Sequence, residues 1–250
     1  MCSLLLLRRP GATYPVILAA NRDEMAGRPW RPPARHWDDR PHVFGGLDET
    51  AGGSWLALND DGVVAAVLNR RGTLGPAPGK RSRGELVLDA LDHADAAVAA
   101  EALVHLDPDA WRPFNLVLMD DRDAFCVIHR GDGPIEARAL PIGLSMVTHG
   151  DPDDAGDPRI RMHRPRFAAA PVPDPETGDW RAWQDLLASR DHEPEAGARG
   201  AMTIETPTGF GTSSAALVAL PRAGDAERKP RWLFCPGRPD EAPWRSLEPA

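Results

Sequence analysis

The sequence predicts an α+β fold, a four-layer αββα sandwich of antiparallel sheets. Three observations predict it. Short apolar runs occur in pairs around tight-turn signals, the pattern of hairpins. Stretches with helical periodicity interrupt these pairs, as helices covering sheet faces would. The strand count is also high, so a single α+β sheet fits less well. The chain has 250 residues, long enough to bury a sizeable core. No composition shift divides it, so one domain over residues 1–250 is expected.

Each element has its own warrant. Cys2–Leu7 and Val16–Asn21 flank Pro10-Gly11 and read as a hairpin. Glu24–Pro41, rich in Pro and Arg, reads as an ordered loop. Ser54–Asn59 and Val63–Asn69 flank Asp60-Asp61-Gly62, a second hairpin. Gly72–Gly79 reads as a loop. Ser82–His93 predicts a helix, with Ser82 as cap and Glu85 three residues on. Ala96–Leu106 predicts another, stopped before Asp107-Pro108. Phe114–Met119 and Ala124–His129 bracket the turn Asp120–Asp123. Ile135–Leu140 and Ile142–Thr148 read as short strands, and Gly150–Asp157 as an acidic turn. Ile160–Phe167 starts a helix that Pro165 is expected to interrupt. Asp179–Ser189 is a helix with Trp180, Trp183 and Leu187 at helical spacing, and Asp191–Gly200 a flexible polar segment. Phe210–Leu220 and Arg231–Cys235 form the final strand pair.

Composition narrows the function. There are 29 basic and 37 acidic residues, a net charge of −8. Such a chain repels phosphate backbones, so no nucleic acid partner is expected. All but two basic residues are arginine, which fits genome base composition better than a recognition surface. No apolar run approaches the roughly 18–20 residues of a membrane span. The start, Met-Cys-Ser-Leu-Leu-Leu-Leu-Arg-Arg, lacks the order of a signal peptide, so a cytoplasmic protein beginning there is expected. Cys2, Cys126 and Cys235 form no C-x-x-C pair, which suits a reducing compartment. Eight scattered histidines show no zinc spacing.

Cys2 follows the initiator methionine, which is normally removed before a small residue. It would then carry a free α-amino group, of pKa about 7.7–8.0, beside a thiol of pKa about 8.5. One residue would supply both nucleophile and base. Its bland alternative is a small hydrophobe in a strand. Asn21-Arg22-Asp23-Glu24 ends the second strand of the same hairpin, which brings Arg22 and Asp23 near Cys2. Arginine there lowers a thiol pKa, and aspartate holds an ammonium or accepts its proton. Alternatively the two are an ion pair closing the hairpin.

Met-Cys at the N-terminus, Asn21–Glu24 followed by Arg28-Pro29, Gly45-Gly46-Leu47-Asp48 and Gly52-Gly53-Ser54-Trp55-Leu56 recur in order. So do Leu68-Asn69-Arg70, Ser82–Leu86 and, late in the chain, Gly209–Ser214. This set resembles the NRDE family, which includes the transport and Golgi organisation 2 proteins. The likeness is dense over residues 1–93. The family resembles the N-terminal nucleophile hydrolases, which implies their αββα fold. It implies Cys2 as nucleophile, Arg22 and Asp23 flanking it, and Asn69 as oxyanion-hole donor. A side-chain amide N–H is chemically apt for that task, although a strand-end turn also favours asparagine. Asn21, Trp55 and His149 are the candidate substrate contacts. Where both families carry Ser-Asn or Thr-Asn, this chain has Thr148-His149. His149 replaces the amide as a donor or leaves the position unfilled.

The function expected is hydrolysis of a linear amide or related acyl bond in a small molecule, with no cofactor. The alternative is a non-catalytic carrier of haem or an apolar ligand, since some members of the family are implicated in haem trafficking. Cys235-Pro236 is the candidate for thiolate ligation of haem iron, with a buried strand-end cysteine as the plainer explanation. Gly45-Gly46 and Gly52-Gly53 lack the context of a phosphate loop and read as tight turns and close backbone approach.

Overall fold

The computed structural model describes residues 2–225 and 227–249. They gather into two compact units, one made of residues up to Gly27 together with Ile142–Glu248, the other of Arg28–Pro141.

In the first unit, β1 (Ser3–Arg8), β2 (Val16–Met25), β10 (Gly143–Val147), β11 (Phe210–Leu220), β12 (Arg231–Cys235) and β13 (Arg245–Leu247) form one antiparallel sheet. Its order is β10-β1-β2-β11-β12-β13. β1 lies inside the sheet and is buried at every position, which explains its unbroken leucine run. The first hairpin has the expected partners, with Ser3 opposite Asn21 and Arg8 opposite Val16. β2 runs on to Met25, so Asn21–Glu24 lies within a strand that β11 continues to pair. A bulge between Thr212 and Ser214 interrupts that pairing.

Helices α3 (Pro158–Ala169) and α4 (Arg181–Leu187) cover one face of this sheet. Leu5, Leu7, Ile17 and Ala19 share a core there with Ile160, Phe167, Trp183 and Leu187. Pro165 does not end α3, contrary to expectation. Asp157 caps the helix and Pro158 opens it. Burial of Ile160, His163 and Phe167 on one side then carries the helix past the missing N–H. Within the segment 191–200, Pro194–Gly200 forms short 3-10 turns broken at Gly197, where φ is 59°, and Glu193 pairs with Arg161.

The second unit is a meander in sequence order: β3 (Trp30–Ala34), β4 (Val43–Asp48), β5 (Leu56–Asn59), β6 (Val64–Asn69), β7 (Phe114–Met119), β8 (Ala124–His129) and β9 (Glu136–Ala139). α1 (Arg83–Leu91) and α2 (Ala96–Leu103) come between β6 and β7, and their apolar faces join the core of this sheet. Ser82 and Glu85 form the predicted capping box of α1. β3 and β4 fall where the sequence suggested loop and turns. Pro32 and Pro33 are tolerated because β3 is an edge strand with an irregular register. In β4, Gly46 is needed for close approach, since a Cβ there would lie 2.2 Å from the Trp55 ring.

Gly53 packs its α-carbon on the backbone at the start of α1, and a Cβ would meet the Gly84 carbonyl carbon at 2.4 Å. Ser54 N–H donates to the Gly84 carbonyl at 3.0 Å across the same contact. Neither backbone can yield without breaking this join. Gly53→Ala is therefore expected to cost about 1–3 kcal/mol in a urea unfolding titration.

Candidate active site

The site grows from the strand ends of the first sheet. Ser3 opposes Asn21, so Cys2 stands where β2 enters Arg22-Asp23. The Cys2 thiol is half-buried and donates to the main-chain carbonyl of Asp23 at 3.7 Å. Burial, and then the negative charge of Asp23, push the thiol pKa up, while the Arg22 charge opposes them. Met1, whose removal is expected from the sequence, lies outside the described residues.

Strand alternation separates the neighbouring side chains. Ser3, Asn21 and Asp23 share the parity of Leu5, Leu7, Ile17 and Ala19, on the helix-covered face. Arg22 is on the other, where its Nη1 donates to Ser213 Oγ at 3.0 Å. Ser213 is the extra residue of the bulge and donates back to the Arg22 carbonyl at 3.2 Å.

Asp23 is 2% exposed, and both of its carboxylate oxygens are engaged. Oδ1 accepts from Thr212 Oγ1 at 2.7 Å. Oδ2 faces Arg159 Nη1 at 3.2 Å, in an ion pair buried on both sides. The same Nη1 donates to Ser3 Oγ at 2.7 Å, and Nη2 to the Arg199 carbonyl. Arg159, Thr212 and Ser3 were not singled out from the sequence as site residues. Thr212 and Ser213 stood within the Gly209–Ser214 motif, and Asp157-Pro158 carries a helix-start signature that would have placed Arg159 in a first turn.

His149 is buried just past β10, the other neighbour of β1, with Nδ1 3.3 Å from Asp157 Oδ2. Thr148 Oγ1 donates to the same oxygen, and Asp157 Oδ1 accepts the Arg159 N–H that begins α3. Asn21 is committed to the protein interior, where its Nδ2 donates to the carbonyls of Leu187 and Met202 at 2.9 and 3.0 Å. Two expected residues belong to the second unit. Asn69 ends β6 opposite Phe114, and Trp55 sits edge-on to Trp30 with ring centroids 5.8 Å apart.

Cys235 is buried, and its thiol lies 3.5 Å and 3.3 Å from the carbonyls of Gly237 and Ala242. Burial raises its pKa to about 11, which favours thiol over thiolate. Among the described residues, no group of three or more His, Cys, Asp or Glu is gathered to hold a metal. Nor, among them, is any helix long and apolar enough to cross a membrane.

The fold is that of the N-terminal nucleophile hydrolases. A Caenorhabditis elegans N-acylethanolamine-hydrolyzing acid amidase ortholog superposes with a TM-score of 0.59 at 12% identity, covering 98% of this chain and 100% of that one. A conjugated bile acid hydrolase variant from Clostridium perfringens gives 0.53 at 12% identity, covering 99% and 97%. Within that fold, the chain belongs to the Transport and Golgi organisation 2 family, whose profile matches residues 1–154. The mouse homolog is 34% identical over 112 residues, 43% of this chain and 39% of that protein. The human homolog is 34% identical over 147 residues, 55% and 50% respectively. The chain thus spans no more than about half the length of these curated relatives.

One group beside the site sets a pH dependence. His163, one turn beyond Arg159 on α3, is buried, and desolvation lowers its pKa to about 4. Well above pH 6.5 the ring is neutral in both folded and unfolded chains, and no stability depends on it. As pH falls toward 4, the unfolded chain takes up the proton first, so stability drops. Between pH 7.5 and 4.5 the loss is expected to be about 2–3 kcal/mol. Denaturant titrations at both pH values should show the wild type losing that increment more than His163→Gln does.

Proposed function

We propose that this protein is a hydrolase of linear amide or related acyl bonds, with Cys2 as an N-terminal nucleophile. The observation that carries the reading is the contact of the Cys2 thiol with the Asp23 main chain, beside Arg22, at the end of the β1–β2 ladder. The fold supports it, since structures sharing it are named as an acid amidase and a bile acid hydrolase.

In this reading Met1 is removed and the amine of Cys2 takes the thiol proton, directly or through one water. A base attached to the nucleophile offsets the burial and the Asp23 charge that hold the thiol protonated. The thiolate forms a C–S bond to the substrate carbonyl carbon, and the π pair moves onto oxygen. Collapse breaks the C–N bond, and the leaving amine takes the proton from the Cys2 ammonium. Water then hydrolyses the thioester, releasing a carboxylic acid and restoring the thiol. The resemblance assigns the oxyanion to backbone N–H groups and Asn69.

Incubation with N-acylethanolamine and conjugated bile acid probes, quenched for intact-mass analysis, tests the reading. The expected result is a chain lacking Met1, an acyl adduct on Cys2, and acid release that falls to background in Cys2→Ala. Retention of Met1 would sink it, as would Cys126 or Cys235 reacting faster than Cys2 with iodoacetamide at neutral pH. Asn69→Ala is expected to lower kcat by about 10²–10³-fold, the usual cost of one oxyanion donor.

A further inference from the structure

We propose that Arg159 is the positioning residue for the Cys2 nucleophile. This rests on the reading of Cys2 as the reactive thiol. The guanidinium grips the two residues that frame Cys2. One Nη1 holds Ser3 Oγ at 2.7 Å and Asp23 Oδ2 at 3.2 Å. Ser3 is the next residue after Cys2, and the Asp23 carbonyl accepts from the Cys2 thiol. The alignment of thiol and carbonyl is therefore fixed from behind the sheet, by a side chain that belongs to α3. Arg159 is itself held, since Nη2 donates to the Arg199 carbonyl and its own N–H is capped by Asp157.

The chemistry calls for arginine at this position. A planar fork can serve a hydroxyl, a carboxylate and a carbonyl in fixed directions, whereas an ammonium is a compact point charge. The charge matters as well. Asp23 raises the thiol pKa, and Arg159 faces the same carboxylate as a counter-charge. Arg22 and Asp23 on β2 act on the Cys2 thiol by charge, Arg159 on α3 pairs with Asp23, and the titratable pair His149 and Asp157 lies just past β10, the strand that pairs with β1. β11 contributes the neutral hydroxyls of Thr212 and Ser213. The Arg159 side chain contacts both Ser3 and Asp23.

The test is the rate of Cys2 alkylation by iodoacetamide as a function of pH, read at Cys2 by peptide mass spectrometry. Circular dichroism confirms that each variant is folded. Arg159→Gln should move the midpoint up by about one pH unit and slow alkylation at pH 7 about tenfold. Arg159→Lys keeps the charge that balances Asp23, so it preserves the fold, and it should slow alkylation about threefold because it cannot hold all three partners. A residue that only balances charge would leave the Arg159→Lys profile at wild type. A folded variant of either kind with the wild-type profile overturns the proposal. If Arg159→Gln does not fold, Arg159→Lys decides alone. The measurement needs no turnover, so failure to hydrolyse an amide leaves it intact. Slow alkylation of Cys2 in the wild type, relative to Cys126 and Cys235, instead overturns both the nucleophile reading and this one.

Discussion

A buried carboxylate must be matched, and Asp23 is the one on which this site depends. Desolvating an ion costs several kcal/mol unless geometry and hydrogen bonds return it. Here the return comes from three separate parts of the first unit. β11 supplies the Thr212 hydroxyl, α3 supplies the Arg159 guanidinium, and β1 supplies Ser3 as the second ligand of that guanidinium. Satisfying one charge thus fixes where β1 begins, where β11 bulges and where α3 starts. Thr212 extends the network, since its Oγ1 accepts the Ile204 N–H at 2.9 Å and its own N–H donates to the Ile204 carbonyl at 2.8 Å.

A second carboxylate does comparable work beside the first. Asp157 caps α3 through Oδ1 and meets Thr148 and His149 through Oδ2. The helix start and the residues just past β10 are therefore set by a single side chain. His149, which stands where the family resemblance would place an amide, is buried beside that carboxylate.

Much of this could be read from the sequence, and the reasons for the exceptions are physical. The hairpins were legible because turn residues such as Asp60-Asp61-Gly62 punctuate apolar runs. α1 was legible because its capping box is local. β4 was not, because Gly45 and Gly46 read as turn residues, whereas they serve a strand packed tightly on Ala57 and Trp55. α3 runs on through Pro165, where burial of Ile160, His163 and Phe167 outweighs local propensity. In the site, Cys2, Arg22 and Asp23 came together because hairpin pairing is a short-range inference. Arg159 is 136 residues from Asp23, and no local pattern connects them.

The adjacency of Arg22 and Asp23 has a consequence that pairing alone does not suggest. Successive strand residues face opposite ways, so two charged neighbours cannot both aim their side chains at one thiol. The arginine reaches the bulge at Ser213, and its charge favours thiolate. The aspartate turns its carboxylate to the helix face and offers the thiol only its main-chain oxygen. Its charge still reaches the sulfur and disfavours ionisation, while Arg159 faces the same carboxylate from behind the sheet. A thiol so placed is kept protonated unless a base is close at hand. In the proposed mechanism, with Met1 removed, that base would be the α-amino group of Cys2, whose distance from the sulfur is limited by covalent bonds.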